Sequence, residues 1–367
     1  MRIALVVERF EPAGGVEGAA WATAHALVAE GCRVDVFARE GQEGRGPTLH
    51  RLPVGRGWQP RRVLAFSRAA ARAAPRGQYD AVHSFSRTRH QDVVRTGGGC
   101  HAAYMERAYG RGGAALRRLS PRHAALLHLE RAALRDPTQW VQCNSEMVRD
   151  EIQARYAVPA ERIAVIPNGV DLQRFRPQPL DSELRTLRRG LGSGGRAAWL
   201  LVGHGFHRKG VDTAIRALAQ AADREAVLWL AGRNLQGPAS QLARELQVED
   251  RVRCVDASQD VAQLYAAADA LILPTRYDAF ANVCLEAAAS GLPIVTSAAN
   301  GAARWLGEAG LCVEDPEDIE GFAATLDALG DADLRARLGG AARERAEQRP
   351  WSTTARELRA LYERLTA

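Results

Sequence analysis

Short, continuously apolar runs alternate along the chain with longer stretches whose apolar positions recur at helical spacing. In the first half the runs fall at residues 3–7, 33–38, 48–52, 80–85, 93–96, 140–143 and 163–166, with helical stretches at 16–30, 61–74, 122–134 and 146–156. The second half repeats the rhythm, with runs at 199–202, 227–231, 252–255, 270–273, 293–296 and 311–313 and helices at about 211–222, 239–247, 259–267, 281–290, 317–329 and 333–347. Strands that lack polar alternation are covered on both faces, and strands separated by helices pair in parallel. The pattern therefore predicts α/β architecture with two Rossmann-like doubly wound domains, each binding ligands at the carboxyl ends of its strands.

The join between the domains is legible. Ile166-Pro167-Asn168-Gly169-Val170-Asp171 is a strand end followed by turn residues, and Phe175-Arg176-Pro177-Gln178-Pro179 stiffens the connector after it. The expected domains are 1–170 and 171–350. A last helix at 351–367 has Ser352 as N-cap candidate and apolar positions at Ala355, Leu358, Leu361, Tyr362 and Leu365.

A length of 367 residues suits two such domains, and 46% hydrophobic against 25% charged residues rules out wholesale disorder. No run approaches the roughly 20 apolar residues of a membrane span, and the opening residues 1–9 read as a buried strand rather than a secretory signal. The six cysteines stand singly, without metal-ligand spacing, and are expected to be reduced thiols in core positions of a cytoplasmic protein. Charge is uneven: residues 1–175 carry 26 arginines against 17 acids, whereas the remainder is mildly acidic. Only the first half is expected to meet an anionic partner. Of the 49 basic residues, every one but Lys209 is arginine. A lone lysine in such a composition marks a place where a compact ammonium is needed and a planar guanidinium does not fit.

Four constellations carry candidate chemistry. In Pro274-Thr275-Arg276-Tyr277-Asp278-Ala279-Phe280-Ala281-Asn282-Val283-Cys284-Leu285-Glu286, a strand-end loop bears Asp278 and the following helix bears Glu286. Carboxylates so placed lie up to about 12 Å apart, too far for a glycosidase pair. They suit the two ends of a nucleotide sugar, with its diphosphate facing the helix N-terminus at Asn282 and Val283. In Gly203-His204-Gly205-Phe206-His207-Arg208-Lys209-Gly210, a strand ends at Gly203 in a loop that delivers two adjacent cations, suited to a diphosphate leaving group in place of a divalent metal. Phe10-Glu11-Pro12-Ala13-Gly14-Gly15-Val16-Glu17-Gly18 imitates a dinucleotide fingerprint but does not follow its strand directly. Gly97-Gly98-Gly99-Cys100-His101 places a lone histidine after a glycine run.

Together these motifs resemble the GT-B fold retaining glycosyltransferases of family 4, over nearly the whole chain. The acid-x7-acid signature matches with Asp278 in place of the usual glutamate, and the Arg-Lys-Gly motif matches at Arg208, Lys209 and Gly210. In motif order the chain is similar to the lipopolysaccharide core glucosyltransferases. The resemblance implies two domains facing across a cleft, with the last helix crossing back onto the first domain. It implies a nucleotide-sugar donor, UDP-glucose first, and a glycolipid or glycan acceptor. Arg208, Lys209 and the Asn282–Val283 amides would hold the departing diphosphate, with the Gly14–Gly15 loop closing over it. Glu286 would hold the ribose and Asp278 the sugar hydroxyls. His101 would lie near the donor sugar, and Glu17 is the acceptor-side candidate, because Ala19 replaces an acid common there. No metal, cofactor or nucleic acid is expected.

Residues 100–135 hold seven arginines (107, 111, 117, 118, 122, 131, 135) against Glu106 and Glu130, with apolar positions at Tyr104, Ala115, Leu116, Leu119, Ala124, Leu127 and Leu134. This segment is expected to dock on an anionic membrane surface, which would make the protein peripheral to the cytoplasmic face of the inner membrane. Competing readings are a nicotinamide-dependent dehydrogenase, a nucleotide-sugar sensor without catalysis, and a transferase of the same fold using UDP-GlcNAc, GDP-mannose or ADP-heptose on a soluble acceptor.

Overall fold

The computed structural model describes residues 1–12, 14–255 and 259–366. It divides into two compact units, Met1–Gly169 with Trp351–Ala367, and Val170–Pro350.

The first unit contains strands β1 (Arg2–Phe10), β2 (Arg33–Gly41), β3 (Thr48–Arg51), β4 (Ala81–Ser84), β5 (Val93–Arg95), β6 (Trp140–Cys143) and β7 (Ile163–Val165). They form one parallel sheet in the order β3-β2-β1-β4-β5-β6-β7. Its helices are α1 (Val16–Ala29), α2 (Gln59–Ala73), α3 (His101–Arg117), α4 (Pro121–Arg135) and α5 (Glu146–Tyr156). Strand β1 explains the unbroken apolar run at the start of the chain. Ile3, Leu5 and Val7 pack into a cluster with Ala20, Ala24 and Leu27 of α1, while Ala4 and Val6 point to a second cluster with Phe66 and Ala70 of α2.

In the second unit α6 (Ser182–Gly190) precedes β8 (Ala198–Val202), α7 (Val211–Gln220), β9 (Val227–Ala231), α8 (Gln236–Glu245), β10 (Val252–Val255), α9 (Val261–Ala267), β11 (Ala270–Leu273), α10 (Asn282–Ala289), β12 (Ile294–Ser297), α11 (Ala302–Leu306), β13 (Leu311–Val313), α12 (Ile319–Ala328) and α13 (Ala332–Glu347). The sheet is parallel, in the order β10-β9-β8-β11-β12-β13, around fully buried Trp199, Trp229 and Tyr265. The final helix α14 (Trp351–Thr366) belongs to the first unit. Its Ala355, Leu358, Leu361 and Tyr362 are completely buried in the α1 cluster, worth about 1.5–3 kcal/mol for each large side chain. Strand order reverses between β1 and β4 and between β8 and β11, the two places where a doubly wound sheet opens a crevice.

Several local expectations are corrected. The glycines after residue 96 suggest a loop through His101, yet α3 begins there and runs on, kinked at Gly110 (φ 67°). Glu130 of α4 makes this possible by accepting the His101 N–H at 2.7 Å, which satisfies an orphan donor of the first turn. Helix α6 escapes the periodicity because its apolar stripe is thin; Asp181 caps it through the Glu183 and Leu184 N–H groups. Ser352 lies inside α14 rather than capping it. Strand β1 reaches Phe10, so little chain separates it from the glycine pair, and Ala13 in between lies outside the described residues. Cys312 is exposed and Cys254 half-buried, unlike the other four thiols.

Candidate active site

In the second unit, the loops that follow β8 and β11 emerge side by side at the strand-order reversal. The first is folded tightly on itself, with Lys209 N–H donating to Gly205 O at 3.0 Å and Val211 N–H to Phe206 O at 3.0 Å. Two glycines permit this. A Cβ on Gly203 (φ +155°) would come within 2.8 Å of the Lys209 side chain, and one on Gly210 (φ +69°) within 1.9 Å of Pro274 O. The Lys209 stem thereby packs against Gly203, and only 6% of the residue remains exposed.

The two loops are tied together. Arg208 O accepts from Thr275 Oγ1 and from the Arg276 N–H, each at 2.9 Å. Arg276, which the motifs alone do not single out, grips Asp212 of α7 with both ends of its guanidinium, at 2.8 and 2.9 Å, and also binds Glu317. Its position in a strand-end loop beside Asp278 was the available signal.

The head of Lys209 lies 2.8 Å from Asp278 Oδ2, and Arg208 Nη1 lies 3.3 Å from the same oxygen. Burial would raise the Asp278 carboxyl, but the charges of Lys209 and Arg208, the Lys209 hydrogen bond and the Phe280 N–H outweigh it and hold it below the usual carboxylate value. Asp278 is therefore an anion with two cations on it, rather than a carboxylate standing apart from them. Its backbone is pinned by Ala299 O and the Gly301 N–H. Buried Asn300 accepts the Ala281 N–H at 3.2 Å, ordering the entry to α10, whose first turn holds Asn282 and Val283.

Glu286 stands in the second turn of α10. Tyr265 of α9 donates its phenol to Glu286 Oε2 at 2.9 Å. Burial raises the Glu286 carboxyl, opposed by that hydrogen bond and by the charges of Arg174 and Lys209. Tyr265 reads as one more core aromatic in an apolar helix, so the sequence conceals its polar task.

In the first unit, Gly14 (φ +95°) and Gly15 form the approach to α1, with Gly15 at its N-cap. Glu17 in the first turn pairs with Arg9 at 3.0 Å, so it is a partnered acid at the end of β1. His101 differs from its expected setting as a loop residue. It is buried, its Nε2 lies 3.0 Å from His123 Nδ1, and its ring stacks on Tyr104. Burial, aided by the charges of Arg87, His123 and Arg122, pushes it down to about 3, so it is neutral at physiological pH. Glu130 also accepts from Tyr156 at 2.7 Å, and is a buried helix cap rather than part of a solvated face. Of the pair Asp331 and Asp333, which could be mistaken for a metal motif, Asp331 is the N-cap of α13, accepting the Asp333 and Leu334 N–H groups, and Asp333 lies in its first turn.

Comparison with known proteins follows this division. Residues 13–174 match the family model Glycosyltransferase Family 4, and residues 197–331 match Glycosyl transferases group 1. The chain is 27% identical to the lipopolysaccharide glucosyltransferase WaaG of Escherichia coli (strain K12), over 86% of each chain. It is 32% identical to the D-inositol 3-phosphate glycosyltransferase of Jonesia denitrificans, over 60% of this chain and 56% of that protein. The crystal structure of WaaG superimposes with a TM-score of 0.83 at 24% identity, covering 100% of both chains. Anabaena Alr3699/HepE in complex with UDP and glucose does so with 0.76 at 20% identity, covering 99% of this chain and 100% of that one. With a family 4 model on its first half, a group 1 model on its second, and two parallel-sheet Rossmann-like units, the chain is a glycosyltransferase of the GT-B fold.

Proposed function

We propose that this transferase moves glucose from UDP-glucose to a glycolipid of the lipopolysaccharide-core kind, with retention at the anomeric carbon and without a metal ion. The observation that carries the reading is the convergence of Lys209 and Arg208 on one point at the end of β8, next to the first turn of α10. A departing diphosphate gathers negative charge, and fixed cations with a helix N-terminus stabilise it where water cannot reorganise to do so. Asp278 is the resident anion at that point. When a diphosphate arrives, the ammonium is shared between the two, and the Asp278 carboxylate is left to accept hydroxyls of the donor sugar. Glu286, with Oε2 held by Tyr265, keeps Oε1 for the ribose. As the bond from the anomeric carbon to the phosphate oxygen breaks, the acceptor hydroxyl enters on the same face. Its proton passes to an oxygen of the leaving phosphate, so no protein base is required. Neutral, buried His101 suits packing and hydrogen bonding better than proton transfer. The choice of UDP-glucose is supported by the relatives: WaaG is a glucosyltransferase by name, and HepE is solved with UDP-glucose.

Peripheral membrane docking belongs to the same proposal. Leu116 and Leu119 are 71% and 78% exposed at the end of α3, an unusual pair of large apolar side chains in water. Arg122, Arg131 and Arg135 are exposed on the same two-helix segment, whereas Arg107 is tied to Glu151, Arg118 is paired with Glu106 at 3.5 Å and Arg117 lies over Tyr109. The side chain of Arg111 lies outside the described residues, and Leu134 is buried in the core rather than free to dock. No described helix is long and apolar enough to cross a membrane.

The test is a screen of nucleotide sugars by thermal shift, where a donor at 100 times its Kd adds about 2.7 kcal/mol. NMR assignment of the product anomer follows. UDP-glucose stabilising the protein above the other donors, and an α-linked product, are the expected results. An inverted product, or stabilisation by none of the nucleotide sugars, overturns the reading.

A further inference from the structure

The carboxyl ends of β1, β4 and β5 in the first unit, with α4 alongside, enclose a pocket of about 220 Å³. One side is apolar, formed by Val63, Phe66, Leu126 and Leu134. Three acids line it, and each is matched by an arginine: Glu17 by Arg9 at 3.0 Å, Glu8 by Arg62 at 3.1 Å, and Glu130 by Arg87 at 3.6 Å. The remaining arginine of the lining, Arg95, has no carboxylate partner among the described residues. It is only 5% exposed. Its Nη2 donates to Asn168 Oδ1 at 2.7 Å and its guanidinium lies 4.8 Å from the centroid of Phe85, a wall of the pocket. Its Nη1 has no acceptor among the described residues. The loop 96–99 wraps this group so closely that a Cβ on Gly97 would fall 1.8 Å from Nη1.

A structural buried arginine looks different in this same protein. Arg188, 6% exposed, donates from Nη1 to Ala267 O and Asp269 Oδ2, from Nη2 to Arg196 O and from Nε to Gly194 O. Arg95 has one of those four acceptors in kind. Burial lowers it to about 10, which leaves it charged at neutral pH. A buried cation without a counter-charge is costly and calls for an explanation.

We infer that this pocket takes an anionic sugar, a phosphate monoester or carboxylate on a monosaccharide-sized body, with Arg95 as the counter-charge to the anion. The apolar wall suits the C–H face of the ring, and the arginine-paired carboxylate of Glu8, whose side chain is one-third exposed, is placed to accept a hydroxyl. The inference rests on the transferase reading, in that the anionic sugar is part of the acceptor.

The test is calorimetric titration of the full chain with glucose 6-phosphate, glucuronate, glucose and inorganic phosphate, with UDP as a control on the second unit. Glucose 6-phosphate or glucuronate binding at least tenfold more tightly than glucose is expected, and the pair separates the two kinds of anion. Inorganic phosphate is expected to bind more weakly than the sugar phosphate. Arg95→Met should lose at least tenfold of the anionic sugar's affinity with UDP affinity unchanged. Should that variant fail to fold, Leu126→Phe fills the pocket from its apolar side and should abolish the same binding while UDP still binds. Equal binding of charged and neutral sugars, inorganic phosphate matching glucose 6-phosphate, or a variant that folds and keeps full affinity overturns the inference. Wild-type protein that binds UDP but no anionic sugar overturns this inference alone, whereas protein that binds no UDP overturns the donor reading.

Discussion

The two units handle charge at the ends of their strands in opposite ways. In the second, two cations converge on a single carboxylate, and Arg208 keeps 36% of its side chain exposed. In the first, every acid of the pocket is matched and the surplus is one arginine sealed beneath a glycine loop. A surplus held near solvent can turn from its resident anion to an arriving phosphate and back. A surplus wrapped this closely on the pocket wall is suited to a charge that the ligand already carries. The same sheet topology thus carries a site suited to charge that appears during a reaction and a site suited to charge that is already on the ligand.

The largest effect expected from breaking this contrast comes from its only lysine. Lys209→Ala should lower kcat by roughly 10²–10³, as deletion of one preorganised charge-stabilising donor does. Lys209→Arg should also be impaired, because a planar guanidinium does not reproduce the compact ammonium that sits 2.8 Å from Asp278 Oδ2. Near-normal turnover of the arginine variant in a transfer assay would contradict this account of the lone lysine.

Acid should separate the units next. His83 and His101 of the first unit are both pushed down to about 3, by burial first and then by neighbouring charges, Arg95 for His83 and Arg87, His123 and Arg122 for His101. Their folded values lie below the unfolded value of about 6.5. The stability they contribute is complete above that pH and is lost as pH falls toward 3. At pH 5 each neutral imidazole costs the first unit about 2 kcal/mol relative to pH 7. Urea unfolding read by proteolysis and mass spectrometry at the two pH values should place the loss in the first unit; a loss confined to the second contradicts the assignment.

Two carboxylates of the second unit can be told apart by nucleotide affinity. Glu286→Ala should weaken UDP binding by about tenfold or more, the worth of one charge-assisted hydrogen bond (about 1.5–3 kcal/mol). Asp278→Ala removes the resident anion from Lys209 and should bind UDP at least as tightly as the wild type. Matching losses in calorimetry would show that the two acids do not serve opposite ends of the donor. Tyr265→Phe deletes the hydrogen bond that opposes the burial-driven rise of Glu286. UDP affinity should then fail at higher pH than in the wild type as the solution is acidified.

The smallest effects concern surface and solvent. The protein should sediment with anionic vesicles at low salt and release as ionic strength rises, and Leu116→Ser with Leu119→Ser should reduce the bound fraction. Salt-insensitive failure to bind either anionic or zwitterionic vesicles points to an acceptor free in solution. EDTA should leave turnover unchanged; strict dependence on added Mg²⁺ or Mn²⁺ would count against a leaving group held by Lys209 and Arg208.

Much of the frame was legible because buried parallel strands leave an unmistakable run: residues 227–231, 252–255, 270–273 and 311–313 coincide with β9, β10, β11 and β13. Helix α3 was not, since its glycines argue locally for a loop and the carboxylate that stabilises its first turn comes from another helix, 29 residues away. The cations Arg208 and Lys209 stood out by composition and spacing. Arg276 and Tyr265 did not, because what each does depends on partners, Asp212 and Glu286, that the chain brings close only on folding.

What the sequence determined by itself is whatever short-range physics decides: the alternation of strand and helix, the glycines that let a strand end turn sharply, and the number and type of charges each loop delivers. What only the tertiary structure decided is how those charges are matched. Whether Asp278 stands apart or sits on two cations, whether Glu130 is a solvated charge or a helix cap, and whether Arg95 has a partner are settled by distances between groups far apart in the chain. Electrostatic energy varies steeply with those distances and with burial, and neither is written in the local pattern of residues.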